Sequence, residues 1–153
     1  MSTRSRSTTS SSVRRLTAVL ALLAGAASAS AEDIAVVAGP DSALRRLSAD
    51  EARALFVQDQ RGGRLPLDLP ESDPARTAFY LRLAGKNQTM MRALRANLVF
   101  TGRGRPPLEQ APTAVIQRLL DDPQVVGYLP ASTVPEHCHV LLLLPGAPPR
   151  QAP

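Results

Sequence analysis

Tryptophan is absent from this chain of 153 residues, and its aromatic side chains amount to three Phe and two Tyr. A core must therefore be assembled mainly from Leu, Val and Ala. The single cysteine, Cys138, excludes an internal disulfide, so stability rests on packing. Histidine is equally scarce. His137 and His139 flank the cysteine, and at the mouth of a strand both rings would point to one face and the thiol to the other. The three cannot converge unaided on one metal ion, and a Cys-His hydrolase would want a separated, oriented pair with a helix N-terminus by the thiol. The paired acids Asp50-Glu51 and Asp121-Asp122 sit at helix ends, where structural roles account for them. These shortages point away from a metal centre, a bound cofactor and an enzyme.

A long apolar run is missing as well. Residues 16–27 form the most apolar stretch, too short to span a bilayer comfortably, preceded by Arg4, Arg6, Arg14 and Arg15 and followed by the small residues Ala29-Ser30-Ala31. That three-part layout is a secretory signal peptide over residues 1–31, cleaved after Ala29 or Ala31. The expected location is the periplasm, with no membrane span after cleavage. The formal charge of +5 then belongs to the leader: four of the 18 Lys and Arg precede residue 31, whereas all 13 acids follow it, leaving 14 bases against 13 acids. A near-neutral domain with interspersed charges excludes strong nucleic-acid binding.

About 120 residues remain, enough for one core. Residues 34–38 read as a short strand ending in the turn formers Gly39-Pro40-Asp41-Ser42. Ser48 and Glu51 form a capping box, followed by Ala52, Leu55 and Phe56 on one helical face. A strand over 65–69 leads to Asp73 as N-cap and Pro74 as first helical residue, with Ala75, Ala78, Phe79 and Leu83 facing inward and Gly85 ending the helix. Asn87 caps a helix over 88–99 with Met91, Leu94 and Leu98 inward and Arg92 and Arg95 outward. A short helix over 113–120 and strands over 125–129 and 140–144 complete the set. Strands alternating with helices predict a single compact α/β domain, residues 32–144, with a mainly parallel or mixed sheet. Residues 145–153 are Pro-rich and expected to be a disordered tail.

Residues 100–107, Phe-Thr-Gly-Arg-Gly-Arg-Pro-Pro, cannot continue a helix. Two glycines free the backbone and the prolines force an extended exit, so the segment is a fixed loop presenting Thr101, Arg103 and Arg105. With Phe79-Tyr80, Asp122-Pro123 and Gly127-Tyr128, this loop resembles the small periplasmic proteins related to the substrate-binding component of phosphate ABC transporters. The resemblance runs from about residue 34 to 144 and implies a shortened type 2 periplasmic-binding-protein-like fold, whose larger relatives clamp an oxyanion between two lobes.

It also implies where an anion would bind. Larger phosphate binders use amides and hydroxyls at helix starts, where unpaired N–H groups and the helix dipole favour negative charge. The corresponding positions here are Ser42 in the first loop and Ser72, Asp73 and Thr77 around the second helix start, joined by Thr101, Arg103 and Arg105, whose guanidiniums match tetrahedral oxyanions. Where the family pattern has Gly, Ser and Thr, this sequence has Ser72, Asp73 and Ala75. Asp73 either occupies the helix amides as a cap or accepts the proton of monohydrogen phosphate. As an ionised cap it would repel each anionic charge about 4 Å away by roughly 4 kcal/mol at an effective dielectric near 20. Two functions follow from the resemblance: a periplasmic phosphate or oxyanion binder associated with an ABC permease, or a ligand-free interaction or accessory protein of the envelope that keeps the fold.

Overall fold

The structure, a computed structural model, describes residues 32–147. The signal peptide and positions 148–153 of the Pro-rich end lie outside the described residues. The elements run β1 (Ile34–Ala38), α1 (Ala49–Phe56), β2 (Leu65–Asp68), α2 (Pro74–Ala84), α3 (Gln88–Phe100), β3 (Leu108–Glu109), α4 (Pro112–Asp121), β4 (Val125–Pro130) and β5 (His139–Leu144). Among the described residues they make one five-stranded mixed sheet in the order β3-β2-β4-β1-β5. β1 is antiparallel to both neighbours, and β2 is parallel to β3 and β4. The α/β reading of the sequence is therefore the observed architecture.

Local chemistry sets most boundaries. β1 is apolar at all five positions and buried at all five, as suits a strand covered on both faces. At α1 the Glu51 amide donates to Ser48 Oγ, and the Ser48 amide donates to Glu51 Oε2 at 2.7 Å, closing the expected capping box. Gly85 ends α2 in the left-handed region with φ +63°.

The two faces of the sheet are packed differently. Gly127 lies under α4, where a Cβ would stand 2.9 Å from Val115 Cγ1. The next residue, Tyr128, turns to the opposite face and stacks on Phe79 with ring centroids 3.8 Å apart and planes at 5°. Phe56 and Tyr80 meet that pair edge-on, so four of the chain's five aromatic residues form one cluster between sheet, α1 and α2. α3 lies outside this layer. Among its described residues Met91 is the one fully buried side chain, so the helix is held largely by polar contacts to α2 and β2. At the C-terminal end the Gly146 amide donates to Asp33 Oδ1 at 2.7 Å, tying residues just past position 144 to the domain.

Gly39, directly after β1, has the tightest fit: a Cβ there would lie 1.7 Å from the Leu119 carbonyl oxygen in α4. Backbone cannot yield as a side chain can. Gly39→Ala is expected to lower the urea unfolding midpoint, through a loss of stability at or above the upper end of the ~1–3 kcal/mol usual for overpacking. An unchanged midpoint would show that α4 is not seated on this turn.

Candidate functional site

The start of α2 is closed by its own side chains. Asp73 Oδ1 accepts the Ala75 amide at 2.9 Å, the ordinary N-cap geometry, and Pro74 removes a further donor. Thr77 Oγ1 accepts from the Gln88 side chain at 2.8 Å, and the same Gln88 nitrogen donates to the Glu71 carbonyl at 2.6 Å. The hollow lined by Glu71, Arg76, Thr77, Tyr80, Gln88 and Met91 has a volume of about 10 Å³, room for one water. Ser72 is exposed beside it. Ser42 is buried and Oγ accepts the Leu44 amide at 3.2 Å, in a loop that precedes α1 and its N-cap Ser48 by several residues.

Behind this closed start lies a charged cluster that the sequence pattern did not reveal. Asp68 ends β2 at 1% exposure. Oδ1 accepts a short hydrogen bond from the Tyr128 hydroxyl. Oδ2 accepts from the Tyr80 hydroxyl at 3.0 Å and from Arg95 Nη2 at 2.6 Å, with Arg76 Nη2 3.7 Å away. Arg76, also buried, donates to the Leu69 carbonyl and to Glu109 Oε2, each at 2.8 Å. Arg92 brackets Glu71 with three contacts of 2.6 to 3.1 Å. Arg95 thus points inward, correcting its expected outward placement. Its guanidinium is drawn over the Tyr80 ring, 4.9 Å from the centroid, by the carboxylate behind it.

Electrostatics hold these protons in place. Burial, and then the charge of Asp68, push the Tyr80 and Tyr128 hydroxyls well above the usual phenol range, so both remain donors. Burial works against the charge on Arg95, but Tyr80 and Asp68 more than offset it. The hydrogen bond from Arg92 outweighs burial and holds Glu71 below the usual carboxylate range. One signal in the sequence could have exposed the cluster: both tyrosines of the chain fall in it, and Arg76 shares an inward helical face with Phe79 and Tyr80.

Thr101, Arg103 and Arg105 fall at the far end of α3. The Thr101 hydroxyl donates to the Asn97 carbonyl at 2.7 Å and is turned back on its own helix. Arg103 and Arg105 line an open groove of about 660 Å³ with Asp59, Arg61, Val99, Gly102 and Gly104. Gln88, at the start of α3, touches the start of α2, and at 1.5 Å per residue the helix carries the chain roughly 20 Å before the arginine loop begins. The groove and the α2 hollow share no lining residue. The two sets of expected anion ligands are not brought together.

The region of His137, Cys138 and His139 leads into β5. His139 Nε2 lies 3.2 Å from the Pro40 carbonyl oxygen, and burial pushes the Cys138 thiol up. Among the described residues no group of three or more His, Cys, Asp or Glu is placed to hold a metal ion, and no helix is long and apolar enough to cross a membrane.

Comparison with known proteins bears on the fold. No family description and no curated protein matches the sequence. Solved structures do match in three dimensions, two of them proteins of phosphate transport. One, described as a phosphate ABC transporter substrate-binding protein of Clostridium perfringens with bound phosphate, covers 72% of this chain and is itself covered to 44%, at 10% identity and a TM-score of 0.54. The other, an ABC-type phosphate transport receptor of Vibrio cholerae, gives 72%, 45%, 10% and 0.53. The chain has the fold of part of a phosphate-transport receptor. It spans less than half the length of either protein, so the likeness extends to architecture alone.

The buried cluster makes a pH prediction. Tyr80 and Tyr128 have raised values in the folded state, so above about pH 10 the unfolded chain loses phenolic protons that the folded chain keeps. Their contribution is complete below that pH and is lost as pH rises beyond it, at up to ~1.4 kcal/mol per pH unit for each tyrosine. Urea midpoints measured between pH 9 and 11.5 should fall more steeply for the native sequence than for Tyr80→Phe. Parallel slopes would mean that the phenols titrate freely. Asp68→Asn, which leaves Arg95 without its charge partner, should cost about 3–5 kcal/mol in the same assay near neutral pH.

Proposed function

We propose that this chain is a non-enzymatic protein of the cell envelope, exported by its N-terminal leader, that keeps part of the receptor fold as an interaction scaffold and does not hold phosphate at the start of α2. The observation that supports this reading is the Asp73 carboxylate on the Ala75 amide. A helix start captures an anion through free amides, and here one is taken by a fixed negative charge. Gln88 fills the hydroxyl of Thr77, and the arginines nearest the site are already committed to carboxylates. The arginine loop, roughly 20 Å along α3, cannot complete the same cage.

A second reading, weak binding of a small oxyanion in the groove and association with an ABC permease, is favoured by Arg103 and Arg105, whose guanidiniums have no hydrogen bond or ion pair among the described residues.

Calorimetric titration of the mature protein with phosphate and with sulfate separates the two. We expect no saturable heat at millimolar phosphate. Saturable heat that vanishes in Arg103→Ala would establish the second reading, and heat that survives it would place an anion site elsewhere and overturn the scaffold reading. Asp73→Ala should lower stability by about 0.5–2 kcal/mol, the ordinary loss of a cap.

A further inference from the structure

Four of the five aromatic residues lie in the core cluster, and the fifth does the opposite. Phe100, in the last turn of α3, is 92% exposed, and Val99 beside it is 56% exposed. The chain then turns through Gly102 at φ +65° and presents Arg103 and Arg105. In so aromatic-poor a sequence, an apolar tip flanked by unpaired guanidiniums calls for a partner.

The loop behind the tip is held in shape. Asp59 Oδ2 accepts the Arg105 amide at 2.7 Å, while its other oxygen takes the Arg61 guanidinium. Arg61 Nη2 also donates to the carbonyls of Arg105 and Pro106, at 3.0 and 3.3 Å. Gly104 has no room for a Cβ, which would meet Asp59 Cβ at 2.9 Å. Asp59 itself sits at φ +56°, a conformation uncommon for a residue with a side chain. Although burial opposes its charge, the hydrogen bonds from Arg61 and the Arg105 amide hold its carboxyl below the usual range. Asp59 pairs with Arg61 and also acts on Arg105, so that with Arg103 the groove carries three arginines against one carboxylate.

We propose that Phe100, Val99, Arg103 and Arg105 form a docking surface for an anionic phospholipid bilayer. Exposed aromatic and aliphatic side chains beside arginines are what an interfacial site uses: the ring enters the headgroup region and the guanidiniums meet lipid phosphates. A small free anion fits less well. The groove lies at the C-terminal, negative end of α3, and at about 660 Å³ it is far larger than one ion. A protein partner would need a cavity for the ring, whereas a bilayer accepts a protruding tip without one. The proposal rests on the envelope reading for where such a surface is met. The measurement reads the loop alone, so its failure leaves the α2 result standing.

Because the chain has no tryptophan, Phe100→Trp gives a unique reporter at the tip. With vesicles of phosphatidylglycerol its emission should shift to the blue, with little change on phosphatidylcholine. Co-sedimentation of the native sequence should show the same preference. Adding Arg103→Ala and Arg105→Ala should weaken partitioning about fivefold each, provided circular dichroism shows the fold intact. No shift on phosphatidylglycerol, or equal binding to both lipids, overturns the proposal. Millimolar inorganic phosphate reproducing the shift would assign the groove to small anions instead. A response to an acidic polypeptide without one to vesicles would assign it to a protein.

Discussion

One carboxylate joins the two layers of this protein. Asp68 leaves water almost completely, at a desolvation cost of several kcal/mol, and is stabilised by two phenols and two guanidiniums drawn from β4, α2 and α3. Remove the charge and Arg95 loses its carboxylate partner, while Arg76 keeps Glu109 and the two tyrosines keep their ring contacts. The dependence is greatest for α3, which fully buries Met91 alone among its described residues, packs Leu94 partly against the core and is otherwise attached through Arg95, Arg92 and Gln88. Whatever α3 presents at its far end is therefore oriented by an ion pair seated under the sheet. This is a polar solution to a packing shortage: with so few large side chains, hydrogen bonds to a buried charge supply the specificity that further aromatics would otherwise give.

The same arrangement changes what the start of α2 can do. A helix start is an anion site only while its amides and the neighbouring cations are free. Here Asp73 takes an amide, Glu109 and Asp68 take Arg76, and Glu71 takes Arg92. The cations around the start of α2 are thus paired with the protein's own carboxylates, within an architecture that resembles part of two phosphate-transport proteins.

Element positions were largely legible in the sequence because their signals are local. The capping box at Ser48, the Asp73-Pro74 start, Gly85 and the Asn87 cap each fix a boundary through a side chain one turn away. What failed needed distant partners. The charge of Arg95 argues for solvent, although it follows Met91 by four residues on the same helical face, and it is Asp68, 27 positions earlier, that gives the guanidinium a partner inside. Nothing local in β1 reveals that it lies between β4 and β5 and antiparallel to both. The arginine loop was legible as a loop, but its anchor is Asp59, 46 positions from the amide it holds. Glu109 belongs to Arg76.

The lengths of the elements then decide how many sites there can be. If α3 were a single turn, Thr77 and Arg103 could face one ion. With 13 residues it sets them roughly 20 Å apart, while Asp68 holds its middle through Arg95 and Asp59 holds the loop beyond its C-terminal end. A substitution that frees the α2 amides does not create a cage with the loop, and one that strips the loop of charge does not disturb the buried cluster. The two regions are open to separate use, one as internal support and the other as an outward-facing surface.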